Sequence, residues 1–346
     1  LIHCFDGWGE RYATAMATRL QAKPRVLYIC GWGRSGSTIL DRVIGEAPGF
    51  VSVGELRSLW DADITVQLCG CGATVAECAL WGPILAAMRS VSGYTMGSVR
   101  QLRDETSRTR HLVRLWRTAK RGGSRPLPDA VRYGDVLTGM YAAVRAATNS
   151  AIVVDSSKHP AEALLLASRP DVDVTVLHLV RDPRGAAYSW SKRSGAAREM
   201  SPRSGPPQRG LLSSSAWWTT WNMVAESMIQ PVLGPRYLSL RYEDVMASPR
   251  DQLGAVVQRL GISAGDLPFC SSNEVVLGPT HTVAGNPNRM GMGVVRLELD
   301  AEWKRALRGA DRWKATVPAL PMMHHFGYGV RSRPEIPPNR LGTFRV

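Results

Sequence analysis

The sequence predicts an α/β fold in which a mainly parallel sheet is covered by helices on both faces. Three observations carry this reading. Short apolar, β-branched runs recur along the chain, turn residues follow each run, and each turn opens into a helical pattern. Repeated β-α units of this kind place ligands at the carboxyl ends of the strands.

The first run, Val26 to Cys30, precedes the glycine-rich turn GWGRSGST and a helix beginning near Ser37. The next, Ala151 to Asp155, leads into a helix near Pro160, and Val174 to Val180 leads into one near Pro183. Proline suits a first helical turn, where its missing N–H is not needed. The fourth run, Tyr237 to Leu240, is followed by a helix near Ser248. Between the first two runs, residues 55–150 are mostly helical in pattern and have the character of an insertion. Its centre, VRQLRDETSRTRHLVRLWRTAKRGGSR, is basic and is expected to form a solvated helix face. Residues 191–210, rich in Ser, Gly, Pro and Arg, are expected to form a lid or a long surface loop. The helix after them puts Trp217, Trp221, Val224 and Met228 on one face, expected to be core. The organisation expected is an N-terminal segment 1–24, one domain over 25–330 and a Pro/Arg-rich tail 331–346.

A chain of 346 residues with 44% hydrophobic side chains can bury a substantial core. Its formal charge of +14 draws in anions. No run approaches the roughly 20 apolar residues of a membrane span. The first 23 residues lack the apolar centre of a signal peptide, so a soluble, cytoplasmic protein is expected. Cys69, Cys71 and Cys78 cluster in LCGCGATVAEC. They could hold zinc if a fourth ligand arrived from elsewhere, or form a disulfide, but the spacing fits no standard four-ligand pattern. A structural loop is expected there, and no metal is assigned.

GWGRSGST has the spacing of a phosphate-cradling loop, with Gly31, Gly36 and Thr38 in register, yet Ser37 occupies the lysine position. The backbone amides of such a turn and the positive end of the following helix attract a phosphate-like group. Arg34 is the one cation within the motif.

The stretch CGWGRSGSTILDRVIGEAPGFVSVGEL resembles the 5′-phosphosulfate loop, helix and following acidic strand of sulfotransferases that use 3′-phosphoadenosine 5′-phosphosulfate (PAPS). LHLVRDPRGAAYSW is similar to that family's 3′-phosphate motif, an arginine at a strand end and a serine eight residues on. VVDSSKHP, LRYEDVMASPRDQL, HTVAGNPNR followed by LDAEWK, and the Cys-x-Cys-Gly segment ending in ECALW extend the resemblance over residues 25–330.

The resemblance implies a nucleotide-kinase-like P-loop fold and a set of roles. Arg34, Ser35, Gly36, Ser37 and Thr38 would hold the 5′-phosphosulfate, and Arg181 and Ser189 the 3′-phosphate. Lys158 and Arg289 would add positive charge, with His281, Gly285 and Asn286 shaping the loop that carries Arg289. Tyr242 to Asp244 would be a structural corner. Glu55 is the candidate general base, with His159 its rival, and Arg34 would stabilise charge on the leaving phosphate. The co-substrate would be PAPS, with no metal required, and the partner a hydroxyl-bearing acceptor: carbohydrate, natural product, phenol or peptide. Two other classes compete. A divergent P-loop kinase or NTPase would use Asp155 for magnesium, but the missing lysine and the Arg181/Ser189 pair argue against it. A non-catalytic basic module for nucleic acid or another anion lacks any recognisable base-reading motif, and no nucleic-acid partner is expected.

Overall fold

A computed structural model describes residues 23–124, 126–192 and 208–330. Five parallel strands form the central sheet: β1 (Arg25–Cys30), β2 (Phe50–Gly54), β3 (Ile152–Lys158), β4 (Asp173–Val180) and β5 (Tyr237–Arg241), in the order β2-β3-β1-β4-β5. The four predicted strands are present. The fifth, β2, is a short edge strand of sequence FVSVG, ending just before Glu55.

Period-2 alternation divides β1 between two cores. Val26, Tyr28 and Cys30 face the insertion, packing with Trp81, Tyr133, Leu137 and Tyr141. Leu27 and Ile29 face the other way, toward Leu40, Val43, Leu253 and Val256. The sheet is thus buried on both faces, as its apolar runs require. Because β1 lies between β3 and β4, the chain leaves it at the point where strand order reverses, the crevice position at which open α/β sheets bind ligands.

Helix α1 (Ser37–Gly45) follows β1. Residues 55–150 carry helices over Trp81–Ser92, Met96–Thr106, Leu112–Lys120 and Pro128–Thr148. The basic centre of this region is not simply a solvated face. Arg103 is buried, with its fork on Asp61 at 2.5 and 2.9 Å and a further bond to Asp104 at 2.9 Å. Residues 193–207 of the expected lid and the tail 331–346 lie outside the described residues. No helix among the described residues is long and apolar enough to cross a membrane.

Candidate active site

The glycines of the phosphate loop are fixed by close approach. A Cβ on Gly31, at φ 140°, would lie 2.4 Å from the Leu179 carbonyl oxygen, and one on Gly36, at φ 90°, 2.6 Å from the Tyr242 ring. Substituting either residue therefore displaces a strand or the ring behind the turn. Gly36 is the N-cap of α1 and supplies no side-chain acceptor, so the first-turn amides remain available to an anion. Ser35 and Ser37 are buried beneath the loop, while half-buried Thr38 accepts a hydrogen bond at 3.5 Å from the Asn286 amide. Arg34 also has positive φ, 66°, and its guanidinium lies 5.4 Å from the Trp190 ring centroid. Burial pushes its pKa down, and the nearby Glu55 charge acts in the opposite direction.

On the β4 side stands Arg181. It donates to the Arg34 carbonyl at 3.0 Å and to the Asp300 carbonyl and carboxylate at 3.1 and 2.9 Å, and it lies over the Tyr242 ring at 4.6 Å. The strand-end arginine therefore joins the phosphate loop to the C-terminal segment. Asp182 binds Arg184 instead, at 2.6 Å. Ser189 is half-buried on helix α2 (Pro183–Ser191), which Asp182 caps by accepting from the Arg184 amide at 2.9 Å. Tyr242 and Glu243 form the expected structural corner. The Tyr242 hydroxyl accepts from the Asp300 amide at 3.1 Å, and Glu243 accepts from the Asp182 amide at 2.9 Å.

On the β3 side, Lys158 forms an ion pair with Glu55 and donates to the Ser156 carbonyl at 3.0 Å. A chain of contacts runs from the residues after β2 to β3 and to the helix that follows it. The Arg57 amide donates to Ser157 Oγ at 2.9 Å, Ser157 Oγ donates to Asp155 at 2.5 Å, and the Arg57 guanidinium meets the fully buried Glu162 at 2.5 Å. The Glu162 hydrogen bonds continue to Tyr133 at 3.0 Å. Removing either member of the Arg57–Glu162 pair would leave an uncompensated buried charge, at a cost of about 3–5 kcal/mol.

Glu55 gathers the rest of the site. Its Oε1 and Thr38 Oγ1 lie 3.4 and 3.5 Å from the position of a Cβ on Gly285, so the C-terminal loop rests in van der Waals contact with both groups, and it is the φ of 128° that favours glycine there. Its charge also acts on Arg34 and on Arg289, which is buried and donates to the Leu68 carbonyl at 2.6 Å. Lys158 thus pairs directly with a carboxylate whose charge also reaches Arg34 and Arg289. The neighbouring Arg57 pairs with Glu162 rather than with Glu55.

Two sequence-level alternatives take other roles. Asp155, considered as a magnesium ligand, is fully buried, accepts from Tyr141 at 2.7 Å and from Ser157, and has its pKa pushed up to about 7 by burial. It positions β3 and is closed to solvent. His159 packs edge-on to Trp221 at 5.2 Å, and burial holds its pKa well below the ordinary imidazole value.

The expected core stripe holds in part: Val224 is buried and Met228 and Trp221 pack against core clusters, but Trp217 is 36% exposed and its neighbour Trp218 is the fully buried indole of that helix. Trp217 stacks on Trp32 of the phosphate loop at 6.4 Å and 9°, and Trp221 meets Trp32 edge-on at 5.4 Å. An indole wall therefore stands beside the loop. Sequence reading missed it because the helix LLSSSAWWTTWNMV is aromatic on adjacent faces, and periodicity could not select the one turned to the site. The adjacency of Trp32 to the loop was the available signal.

No family model matches the sequence, and no curated protein does. Among solved structures, the chain is similar to the sulfotransferase domain of the Synechococcus PCC 7002 olefin synthase, at 19% identity and a TM-score of 0.48, over 89% of this chain and 96% of that one. It is similar to the sulfotransferase domain of the curacin biosynthetic pathway at 15% identity and 0.46, over 90% and 100%. A sulfotransferase from Alicyclobacillus acidocaldarius follows at 14% and 0.37, over 86% and 96%. At these identities and scores no residue role is carried across from them.

Proposed function

We propose that this protein transfers a sulfuryl group from 3′-phosphoadenosine 5′-phosphosulfate to an acceptor hydroxyl. The observation that carries the reading is a lysine-less phosphate loop set between two different groups: Lys158 paired with Glu55 on the β3 side, and Arg181 on the β4 side. The loop amides suit the 5′-phosphosulfate, and Arg181, with Ser189 on the helix behind it, suits the 3′-phosphate. The acceptor oxygen attacks sulfur while the sulfur–oxygen bond to the phosphate breaks. Glu55 takes the hydroxyl proton, and Arg34 and Lys158 stabilise charge on the departing phosphate. The products are a sulfate ester and the 3′,5′-bisphosphate. Fewer charges on sulfuryl than on a terminal phosphoryl group reduce the demand for a P-loop lysine and magnesium; positioning supplies much of the rate.

The enclosure of Asp155 weakens the kinase reading, whose magnesium ligand it would be. The indole wall of Trp32, Trp217 and Trp221 favours an acceptor with a flat or ring-bearing body, such as a phenol, sugar or natural product.

Thermal unfolding with 3′-phosphoadenosine 5′-phosphate, compared with ATP plus magnesium, tests this reading. The bisphosphate should stabilise by about 2.7 kcal/mol at a hundredfold excess over its dissociation constant. A shift with magnesium-ATP alone would overturn the assignment.

A further inference from the structure

Three cysteines separated by most of the chain from one histidine meet where the insertion touches the C-terminal loop. Cys69 and Cys71 lie in a tight turn closed by the Cys69 amide on Ala73 O at 2.8 Å and the Gly72 amide on Cys69 O at 2.9 Å. Cys78 stands just before the Trp81–Ser92 helix, and its carbonyl accepts from the Gly82 amide at 2.9 Å. His281 arrives from the loop that also carries Gly285 and Arg289. Its own carbonyl is held by Trp81 Nε1 at 2.6 Å, and the next carbonyl, of Thr282, by the Gly70 amide at 2.9 Å.

These backbone ties aim four donor atoms at one point. Cys78 Sγ lies 3.2 Å and Cys69 Sγ 3.9 Å from His281 Nδ1, and Cys71 Sγ lies 3.8 Å from Cys78 Sγ. All four atoms fall within 4.8 Å of one another. Zinc–sulfur bonds of about 2.3 Å and a zinc–nitrogen bond of about 2.05 Å, set tetrahedrally, require separations of about 3.8 Å between sulfurs and about 3.6 Å between sulfur and nitrogen. The observed spacings bracket those values. A disulfide uses two of the thiols and leaves a third thiol and an imidazole crowded without purpose; a metal uses all four.

We propose that Cys69, Cys71, Cys78 and His281 bind one zinc ion in a closed structural site. Three thiolates and one imidazole suit zinc, and with four protein ligands the site leaves no position for substrate. Arg289, within electrostatic reach of Cys69 and bonded to the adjacent Leu68 carbonyl, offsets the negative charge that three thiolates leave on a divalent ion. The ion would clamp the 278–289 loop to the insertion, and so hold Gly285 over Glu55 and the Asn286 amide on Thr38. The site stands whatever reaction the neighbouring crevice performs.

The test is elemental analysis of the full chain, purified under reducing conditions without a metal-affinity tag, followed by cobalt exchange. About one zinc per chain is expected. The cobalt form should show thiolate-to-metal charge transfer and the intense visible bands of tetrahedral coordination. Modifying the thiols should release the zinc in step with cysteine loss. His281→Cys should keep the metal, while His281→Ala should weaken its retention by more than the about 10- to 100-fold typical of changes in outer-shell partners. The wild-type cobalt spectrum decides the matter even if a variant fails to fold. Metal-free protein, octahedral cobalt without sulfur charge transfer, or a mapped Cys71–Cys78 disulfide in protein isolated without reductant would each overturn the proposal.

Discussion

Lys158 and Arg181 stand at the ends of the two strands that flank β1, and each is paired with a carboxylate, but they are held in different ways. Arg181 is fixed by three oxygens and a ring: Arg34 O, both kinds of Asp300 oxygen, and the Tyr242 face. Lys158 has one carboxylate and one carbonyl, on a flexible stem. A planar fork locked on all sides is a frame, and a compact ammonium on rotatable bonds is a movable charge. Under the proposed reaction, the β4 side would recognise a standing anion and the β3 side would respond to changing charge.

The comparison breaks most visibly at Glu55. Glu55→Gln should lower turnover by about 10² to 10⁴ while leaving nucleotide affinity within a few-fold, because the base acts only as the acceptor loses its proton. Single-turnover kinetics alongside nucleotide titration would show this; retained turnover removes Glu55 from the base role. On the β4 side, Arg181→Ala should act through affinity. Losing charge-assisted hydrogen bonds of about 1.5–3 kcal/mol should erase roughly a 10- to 150-fold preference for nucleotides bearing a 3′-phosphate over the 3′-hydroxyl forms. Equal losses for both ligands would show that Arg181 only braces the loop.

A third carboxylate sharpens the contrast because no cation among the described residues touches it. Asp41 is buried, bonded to Ser52 at 2.5 Å, and desolvation pushes its pKa up to about 8. The folded value exceeds the unfolded value of about 3.9, so the folded protein holds this proton longer. Its contribution is complete below about pH 4 and is lost as pH rises toward 8. Asp41→Asn should therefore flatten the decline of stability between pH 5 and 8, each pKa unit being worth about 1.4 kcal/mol. Denaturant unfolding across that range checks it, and an unchanged slope would refute it. The smallest effect is expected at Asp300→Asn. The pair is partly exposed and worth about 0.2–1 kcal/mol, so freeing Arg181 should tighten binding of the 3′-phosphate by up to about fivefold. Isothermal titration would measure it, and weaker binding would mean that Asp300 orients the arginine.

What could be read from the sequence divides along chain distance. Residues 31–38 carry their chemistry contiguously, strand to turn to helix, and Arg181 follows a strand whose end was visible in its apolar run. The partners of these residues were not visible. Asp300 lies 119 residues from Arg181, and His281 lies 203 from Cys78. No local pattern joins them; only the packing of the C-terminal loop against the insertion does. The short strand β2 was absent from the apolar runs because five residues ending in glycine barely register, although resemblance alone had implied it before Glu55. The basic stretch misled for a related reason. Charge counts do not reveal that Arg103 turns inward, because its acceptor, Asp61, is 42 residues away.

The backbone of Lys158 has a consequence of its own. At φ 69° it occupies a conformation that suits glycine, and its carbonyl accepts from the Gly31 amide, Trp221 Nε1 and Cys30 Sγ at 3.3, 3.3 and 3.4 Å. Glycine there would relieve about 1 kcal/mol of strain and preserve all three bonds, while deleting the ammonium that meets Glu55. The chain therefore carries a strained residue at this strand end, and the strain is tied to a cation that a glycine could not supply.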